Sequence, residues 1–232
     1  MRVLSLHPVA TELLFALGAG NMLVGRTDEC LYPESALSVP SIGKPSEITP
    51  EAAAVFEPDI IVTGPGQDLA GAVCIEPADM EHVYETIVSI AKLLDKTVEA
   101  DLLVHDLRTT FERVKEKTSR FHMTRVHYED EAGMRPAYLA AVVAFAGGEL
   151  YAGNSTIESL RKFDPQVIIY SGDECYEERM VARDGWDGLN AVQRERILRI
   201  DAELLRPTPR LALGAKRLAK LLHGVEVNGN GN

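Results

Sequence analysis

Residues 49–62 read TPEAAAVFEPDIIV, and residues 156–169 read TIESLRKFDPQVII. In each stretch a Glu stands two residues after a Thr, and an acid-Pro pair puts its Pro seven residues after that Glu. The physical reading is the same in both. The Thr caps a helix, the Glu in the first turn complements the positive end of the helix dipole, and the acid-Pro pair stops the helix. An apolar, β-branched strand then follows, Ile60-Ile61-Val62 in one case and Val167-Ile168-Ile169 in the other. Each stretch is also preceded by an apolar helical pattern that ends in glycine, at Gly18 and at Gly147-Gly148. Recurrence of the whole arrangement predicts two related lobes.

Working outward, strands alternate with helices on both sides of a purely helical middle. In the first half, strands are expected at Val3–Leu6, Met22–Gly25, Val39–Ile42, Asp59–Thr63 and Ala72–Ile75, with helices at Ala10–Leu17 and Pro50–Phe56. From Met80 to about residue 120 the strand signal stops. Val83, Ile87, Ile90, Ala91 and Leu94 keep the 3–4 spacing of one helical face, and Leu102, Leu107, Phe111 and Val114 continue it. Asp95-Lys96 is the expected break, with Thr97 as cap of a second helix. In the second half, strands are expected at Arg125–Glu129, Gln166–Tyr170 and Ile197–Asp201, and helices at Ala137–Ala146, Ile157–Phe163 and Leu211–Leu222. The tail from Val227 is Gly/Asn-rich and reads as disordered. The predicted fold class is α/β: two Rossmann-like lobes of mostly parallel sheet, at 1–79 and 121–232, joined by a long interlobe helix within 80–120.

Composition narrows the function. With 232 residues and 46% hydrophobic content, two lobes can each bury a core. The formal net charge of −11 withholds the broad positive field that nucleic-acid binders use. No apolar run reaches the ~20 residues of a membrane span, so no membrane insertion is expected. The first core strand begins at Val3, which leaves no room for a leader; the expected location is cytoplasmic, or periplasmic or lipid-anchored had a leader been removed. Cys30, Cys74 and Cys175 are odd in number and widely spaced, so neither a disulfide framework nor a structural zinc site is expected.

In open α/β sheets, ligands sit beyond the carboxyl ends of the strands. That rule selects Ser5, His7 and Pro8 after the first strand, then Asp28, Glu29, Cys30 and Tyr32, then Gly64, Pro65, Gly66 and Gln67. In the second lobe it selects Tyr128, Glu129 and Asp130, then Asp173, Glu174 and Cys175, then Glu203 and Arg206. His7 reads either as a ligand for a cobalt or iron centre or as a hydrogen-bonded loop histidine. The acidic clusters read as cation ligands, as acceptors for ligand amides, or as solvated loops. Cys30 and Cys175 fit loop or buried thiols better than a shared soft metal. Trp186 is expected to pack the second lobe. No nucleophile-base set, Gly-rich phosphate loop or H-E-x-x-H stands in the chain, and the expected class is a binding protein, with no catalytic residues and no metal site of its own. The rival reading is a metal-dependent enzyme that uses His7 with the acidic loops.

The ordered set of motifs resembles the class III substrate-binding proteins of ABC importers, and within them the cobalamin-binding branch. Arg2-Val3-Leu4-Ser5-Leu6-His7-Pro8-Val9-Ala10-Thr11-Glu12-Leu13 is similar to the family's opening strand, loop and helix. Val24-Gly25-Arg26-Thr27-Asp28-Glu29-Cys30-Leu31-Tyr32-Pro33 is similar to its second strand and Tyr-Pro loop, and Pro58-Asp59-Ile60-Ile61-Val62 to its Pro-Asp strand. Ala146-Gly147-Gly148 and Arg206-Pro207-Thr208-Pro209-Arg210-Leu211 resemble its Ala-Gly-Gly and its turn into the last helix. The resemblance implies a cobalamin-like corrinoid held in an interlobe cleft, with a ferric siderophore or haem as alternatives. It implies delivery to an ABC permease, or a carrier or sensor role in the cytoplasm. It also implies that Glu51 and Glu158, one per lobe, meet arginines of the permease; read alone, each is a first-turn helix acid. Pro45 and Gly64 stand where some relatives carry tryptophans.

Overall fold

The computed structural model describes residues 1–67, 69–154 and 156–227, and the Gly/Asn-rich tail beyond 227 lies outside the described residues. By contact the chain divides into two units, Met1–Asp106 with Pro207–Pro209, and Leu107–Arg206 with the chain from Arg210 onward. In the first unit, β1 (Val3–Ser5), β2 (Leu23–Arg26), β3 (Ile60–Thr63) and β4 (Val73–Cys74) form a parallel sheet in the order β2-β1-β3-β4. Helices α1 (Pro8–Ala16), α2 (Pro50–Ala54) and α3 (Met80–Leu93) belong to this unit. The central strand β1 is buried along its whole length, because a parallel strand with neighbours on both sides has no solvated face to spare. Leu4, Leu6 and Ala53 form a core with Ile42, Ile48, Phe56, Ile61 and Leu69 packed against it. Helix α3 buries Met80, Val83, Tyr84, Ile87, Ile90 and Ala91, the face that the 3–4 spacing marks out.

Asp79 caps α3 by accepting from the His82 amide at 2.9 Å. The helix ends at Leu93; Asp95 takes the left-handed conformation, φ 56°, and α4 (Thr97–Thr118) opens at Thr97 itself. At 22 residues, α4 is about 33 Å long. The boundary between the two units falls inside it, after Asp106. Leu107, Phe111 and Val114 are buried, whereas Leu102 is exposed, so the apolar face read from sequence begins one turn later than its spacing suggests.

The second unit repeats the first unit's sheet. Its elements are β5 (Thr124–Asp130), α5 (Leu139–Phe145), β6 (Gly148–Leu150), α6 (Ile157–Phe163), β7 (Val167–Ser171), α7 (Tyr176–Val181), α8 (Asn190–Gln193), β8 (Ile197–Arg199) and α9 (Leu211–His223). The parallel order is β6-β5-β7-β8, so in each unit the first strand is central and the third strand lies beside it. Trp186 is buried in a cluster with Leu160, Ile168, Tyr170, Tyr176 and Met180. The chain is thus α/β, with two Rossmann-like parallel-sheet lobes.

The repeated sequence stretch forms the same local structure twice. Thr49 Oγ1 accepts from the Ala52 amide at 3.2 Å, and Thr156 Oγ1 from the Ser159 amide at 3.4 Å. Glu57 and Asp164, the acids before proline, both turn left-handed, at φ 45° and φ 54°. An arginine then clamps each turn. Arg2 donates from Nε to Glu57 O at 2.9 Å and from Nη2 to Phe56 O at 2.7 Å. Arg125 donates from Nε to Asp164 O and from Nη2 to Asp164 Oδ2, both at 2.8 Å.

Two local expectations are corrected. Val39–Ile42 is not a strand; only an isolated bridge joins Arg26 and Ser41. Pro40 has no amide proton to donate to a longer ladder. Strand β6 and helices α7 and α8 are not among the elements expected from sequence, because segments of three to six residues are too short to display a period.

Arg125→Lys should lower the unfolding free energy by about 1–2 kcal/mol, because an ammonium cannot span both acceptors on Asp164 as the guanidinium fork does. A urea titration with an unchanged midpoint would show the clamp to be idle.

Candidate functional site

In each sheet the chain reverses direction between the central strand and the third strand, and such a switch point is where α/β sheets accept ligands. In the first unit that point is flanked by Leu6-His7-Pro8 after β1 and Gly64-Pro65-Gly66 after β3. The half-buried His7 ring lies close against Gly64: a Cβ there would approach His7 Nε2 to 2.8 Å. Gly64 is therefore the residue that lets the imidazole occupy this position. Ser5 is fully buried and spent on the turn, donating to His7 O at 3.1 Å while accepting from Thr11 Oγ1 at 2.8 Å. Pro8 is buried as the first residue of α1. Gln67 holds the Gly64 loop, accepting from the Gly64 amide at 3.4 Å and donating to Pro45 O at 3.3 Å. On the loop after β2, Glu29 and Tyr32 are exposed, but Cys30 is buried with its Sγ 3.2 Å from Thr27 Oγ1. Pro65 is exposed. Of the sequence candidates in this unit, His7 and Gly64 come together with Pro65 next in the chain, Glu29 and Tyr32 are exposed on their loop, and Ser5, Pro8 and Cys30 serve the fold.

The second unit's strand ends are far more polar. Tyr128 is buried, its hydroxyl 3.1 Å from both Asp130 Oδ2 and Ser171 Oγ, and burial pushes its pKa well above the ordinary phenol range. Glu129 turns inward on β5. Its Oε1 lies 2.8 Å from Nε2 of His127, whose side chain is fully buried, and its Oε2 lies 3.3 Å from Arg183 Nη1 and accepts from the Tyr176 hydroxyl at 3.4 Å. Burial pushes the Glu129 pKa up, but the His127 hydrogen bond and the Arg183 charge together hold it below the usual carboxylate range. The Nδ1 of His127 is buried with no hydrogen-bond partner, and the ring meets Tyr151 and Trp186 edge-on. His127 is not among the candidates that sequence selects; its one signal there is the strand alternation that puts His127 and Glu129 on one face.

Asp173, after β7, pairs with Arg179 through Oδ1 at 3.2 Å, and Glu131 pairs with the same guanidinium. The Arg179 hydrogen bond lowers the Asp173 pKa. Glu174 and Cys175 are exposed beside them. Arg206 donates to Glu203 Oε2 at 2.7 Å, and Arg210 to the same oxygen at 3.1 Å. Glu51 and Glu158 are exposed in the first turns of α2 and α6. The Glu51 pKa is lowered by its own backbone amide and the Thr49 hydroxyl. Among the described residues, no group of three or more His, Cys, Asp or Glu side chains could hold a metal ion. No helix among them is long and apolar enough to cross a membrane.

No family model matches the chain. Full-length relatives do. The chain is 24% identical over 252 residues, 96% of its length and 80% of the relative's, to YvrC of Bacillus subtilis, an uncharacterized ABC transporter substrate-binding lipoprotein. It is 27% identical over 237 residues, 90% of its length and 84% of the relative's, to the vitamin B12-binding protein of Vibrio cholerae. Among solved structures, a periplasmic binding protein of Veillonella parvula matches with TM-score 0.84 at 19% identity, covering 97% of this chain and 92% of the other. Neighbours with stated ligands are the periplasmic haem-binding protein BhuT with two haems, at TM-score 0.77, 21% identity and 95% and 97% coverage, and the vitamin B12-binding protein BtuF of Vibrio cholerae, at 0.74, 22% and 95% and 96%. An Fe3+-hydroxamate transport protein of Saccharomonospora viridis also matches at 0.74, with 21% identity and 96% and 93% coverage.

The relatives that match along nearly the whole chain are substrate-binding proteins, not enzymes, and two parallel-sheet lobes of this order are the fold they share with solved periplasmic binding proteins. Along nearly its whole length the chain is similar to substrate-binding proteins of ABC transporters and to vitamin B12-binding proteins, and its fold is one that solved periplasmic binding proteins share. The metal-dependent enzyme reading is overturned by these relatives. The cytoplasmic expectation has no counterpart among them either: YvrC is a lipoprotein, and BhuT and BtuF are periplasmic.

A carboxylate whose pKa is depressed by folding stabilises the protein above the ordinary carboxylate pKa, and that stability fades as pH falls through the folded value. Glu129→Gln should therefore cost about 1–3 kcal/mol at pH 7, with the gap to wild type closing as the pH falls below the ordinary carboxylate range. Melting curves from pH 7 to 3 that stay parallel would remove Glu129 from the acid response.

Proposed function

We propose that the protein captures a corrinoid outside the cytoplasmic membrane and delivers it to an ABC permease. What carries the reading is the 27% identity to a vitamin B12-binding protein along 90% of the chain. The pairing of His7 with Gly64 at the first switch point supports it. An imidazole there offers nitrogen to a transition-metal chelate, and the missing side chain at Gly64 leaves the ring room. Exposed Tyr32 and Pro65 contribute apolar surface on loops at the same strand ends. In the second unit, exposed Glu174 and the Asp173, Glu203 and Arg206 groups supply acceptors and donors suited to the amide rim of a corrin.

Spectral and calorimetric titration with cyanocobalamin, aquocobalamin and haemin tests this. One equivalent of either corrinoid is expected to bind, and His7→Ala should weaken the complex. Folded protein that gives neither heat nor a spectral change with both corrinoids overturns the corrinoid assignment, and haemin saturation in the same series would replace it with haem.

Delivery requires a surface that the permease reads without touching the ligand. Glu51 and Glu158 suit that role, since both are exposed, both stand in the first turn of a Thr-capped helix, and each unit presents one. Reversing both to Lys should abolish permease binding while ligand affinity stays unchanged, at a folding cost of about 1 kcal/mol from lost helix-dipole terms. Permease pull-down by the double variant at wild-type strength would leave these glutamates as helix acids only.

A further inference from the structure

The arginines of the second unit's strand ends are mostly spoken for. Arg179 pairs with Glu131 and Asp173, Arg183 with Glu129, and Arg206 and Arg210 with Glu203. Two others differ. Arg199, the last residue of β8, and Arg217, on α9, are exposed, and neither guanidinium has a hydrogen bond or ion pair among the described residues. Both line one groove of about 700 Å3. Its remaining walls are Gly172, just past β7, and the segment from Ile200 to Leu204, just past β8. The groove therefore opens at the carboxyl ends of two adjacent parallel strands, the end of an α/β sheet that takes ligands.

We propose that this groove binds an anionic group, a phosphodiester or carboxylate on the rim of the ligand, through Arg199 and Arg217. Three observations support it. In a chain of net charge −11, two guanidinium groups against one carboxylate leave this groove locally positive. One carboxylate, Asp201, also lines the groove; its Oδ1 accepts from the Glu203 amide at 2.9 Å, and it pairs with neither guanidinium among the described residues. Guanidinium forks match phosphate and carboxylate oxygens in geometry as well as charge. The inference rests on the chelate-binding reading and sharpens it: the acidic arm of a corrinoid, its phosphodiester-linked nucleotide loop, is what this groove takes.

Two arms separate a failure of the groove from a failure of the corrinoid reading. In the first, inorganic phosphate is titrated into the 15N-labelled full chain and into Arg199→Gln/Arg217→Gln. Saturable shifts at the Gly172, Asp201 and Ala202 amides are expected in wild type and not in the variant. No saturable shift, or shifts that survive in the variant, overturn the anion site whatever the ligand is. In the second, cyanocobalamin is compared with dicyanocobinamide, which keeps the corrin ring and lacks the phosphodiester. The variant should bind cyanocobalamin roughly tenfold more weakly, as expected for losing charge-assisted hydrogen bonds, and cobinamide as well as wild type does. Unchanged cyanocobalamin affinity, or equal weakening of both, overturns the assignment of the groove to the acidic arm. Wild type that binds neither corrinoid refutes the corrinoid reading, and the phosphate arm then decides the groove alone.

Discussion

An arginine at the foot of the first strand of each half holds the end of a helix that lies some forty to sixty residues away in sequence, and the register of both sheets follows from that grip. Arg2 and Arg125 each donate to carbonyls of a left-handed turn, at Glu57 and Asp164. Their own backbones pair with the residue just past the following proline. Asp59 N donates to Arg2 O at 2.8 Å, and Gln166 N to Arg125 O at 2.8 Å. The Arg2 amide in turn donates to Asp59 Oδ2, and the Arg125 amide to Gln166 Oε1. The third strand therefore starts level with the first. A slip by one residue would break these bonds and turn the apolar face of Ile60–Thr63 or Val167–Ser171 away from its core. Fixing the amino ends fixes the carboxyl ends, which is where His7 meets Gly64 and where Glu131 meets Asp173.

With the scaffold repeated, the two sets of strand ends diverge in chemistry. The first unit's switch point is almost bare of charge, and its polar groups are bound to the turn itself, as Ser5 is. The second unit's is built of ion pairs. Glu129 illustrates the consequence. Desolvation alone would neutralise a carboxylate on the inner part of a strand, yet His127, Tyr176 and Arg183 surround it and keep it ionised. Such a group is structural: it ties β5 to α7, with Arg183 stacked over both Tyr176 and Trp186. Among the described carboxylates at that end, Glu174 is exposed on its loop.

How much of this stood in the sequence depends on how local each cause is. The Thr-Pro-Glu and Thr-Ile-Glu helix starts, the acid-Pro stops and the α3–α4 break at Asp95-Lys96 are decided by residues a turn apart, so they are legible. The parallel character of each sheet follows from strand-helix alternation, and the burial of Trp186 from its large apolar side chain. The site is less legible because its members are sorted by partners distant in sequence. Nothing near Glu129 announces Arg183. His127 does not stand out, because an isolated histidine in an apolar strand carries no local signature. The face it shares with Glu129 becomes informative only once the register is known.

The ligand end gains specificity from this division of labour. An apolar surface that carries an imidazole suits the metal and flat faces of a chelate but discriminates poorly among macrocycles, because apolar contact rewards area more than identity. Discrimination requires groups that leave a wrong ligand with unpaired charge. Most charges of the second unit are already neutralised within the protein and impose little such penalty. Arg199 and Arg217 are different. Without an ion pair among the described residues, they would, on the proposal above, favour a ligand that brings its own negative charge. On that proposal, selectivity among chelates of similar size rests on whether the ligand brings an acidic arm to the groove beyond β7 and β8.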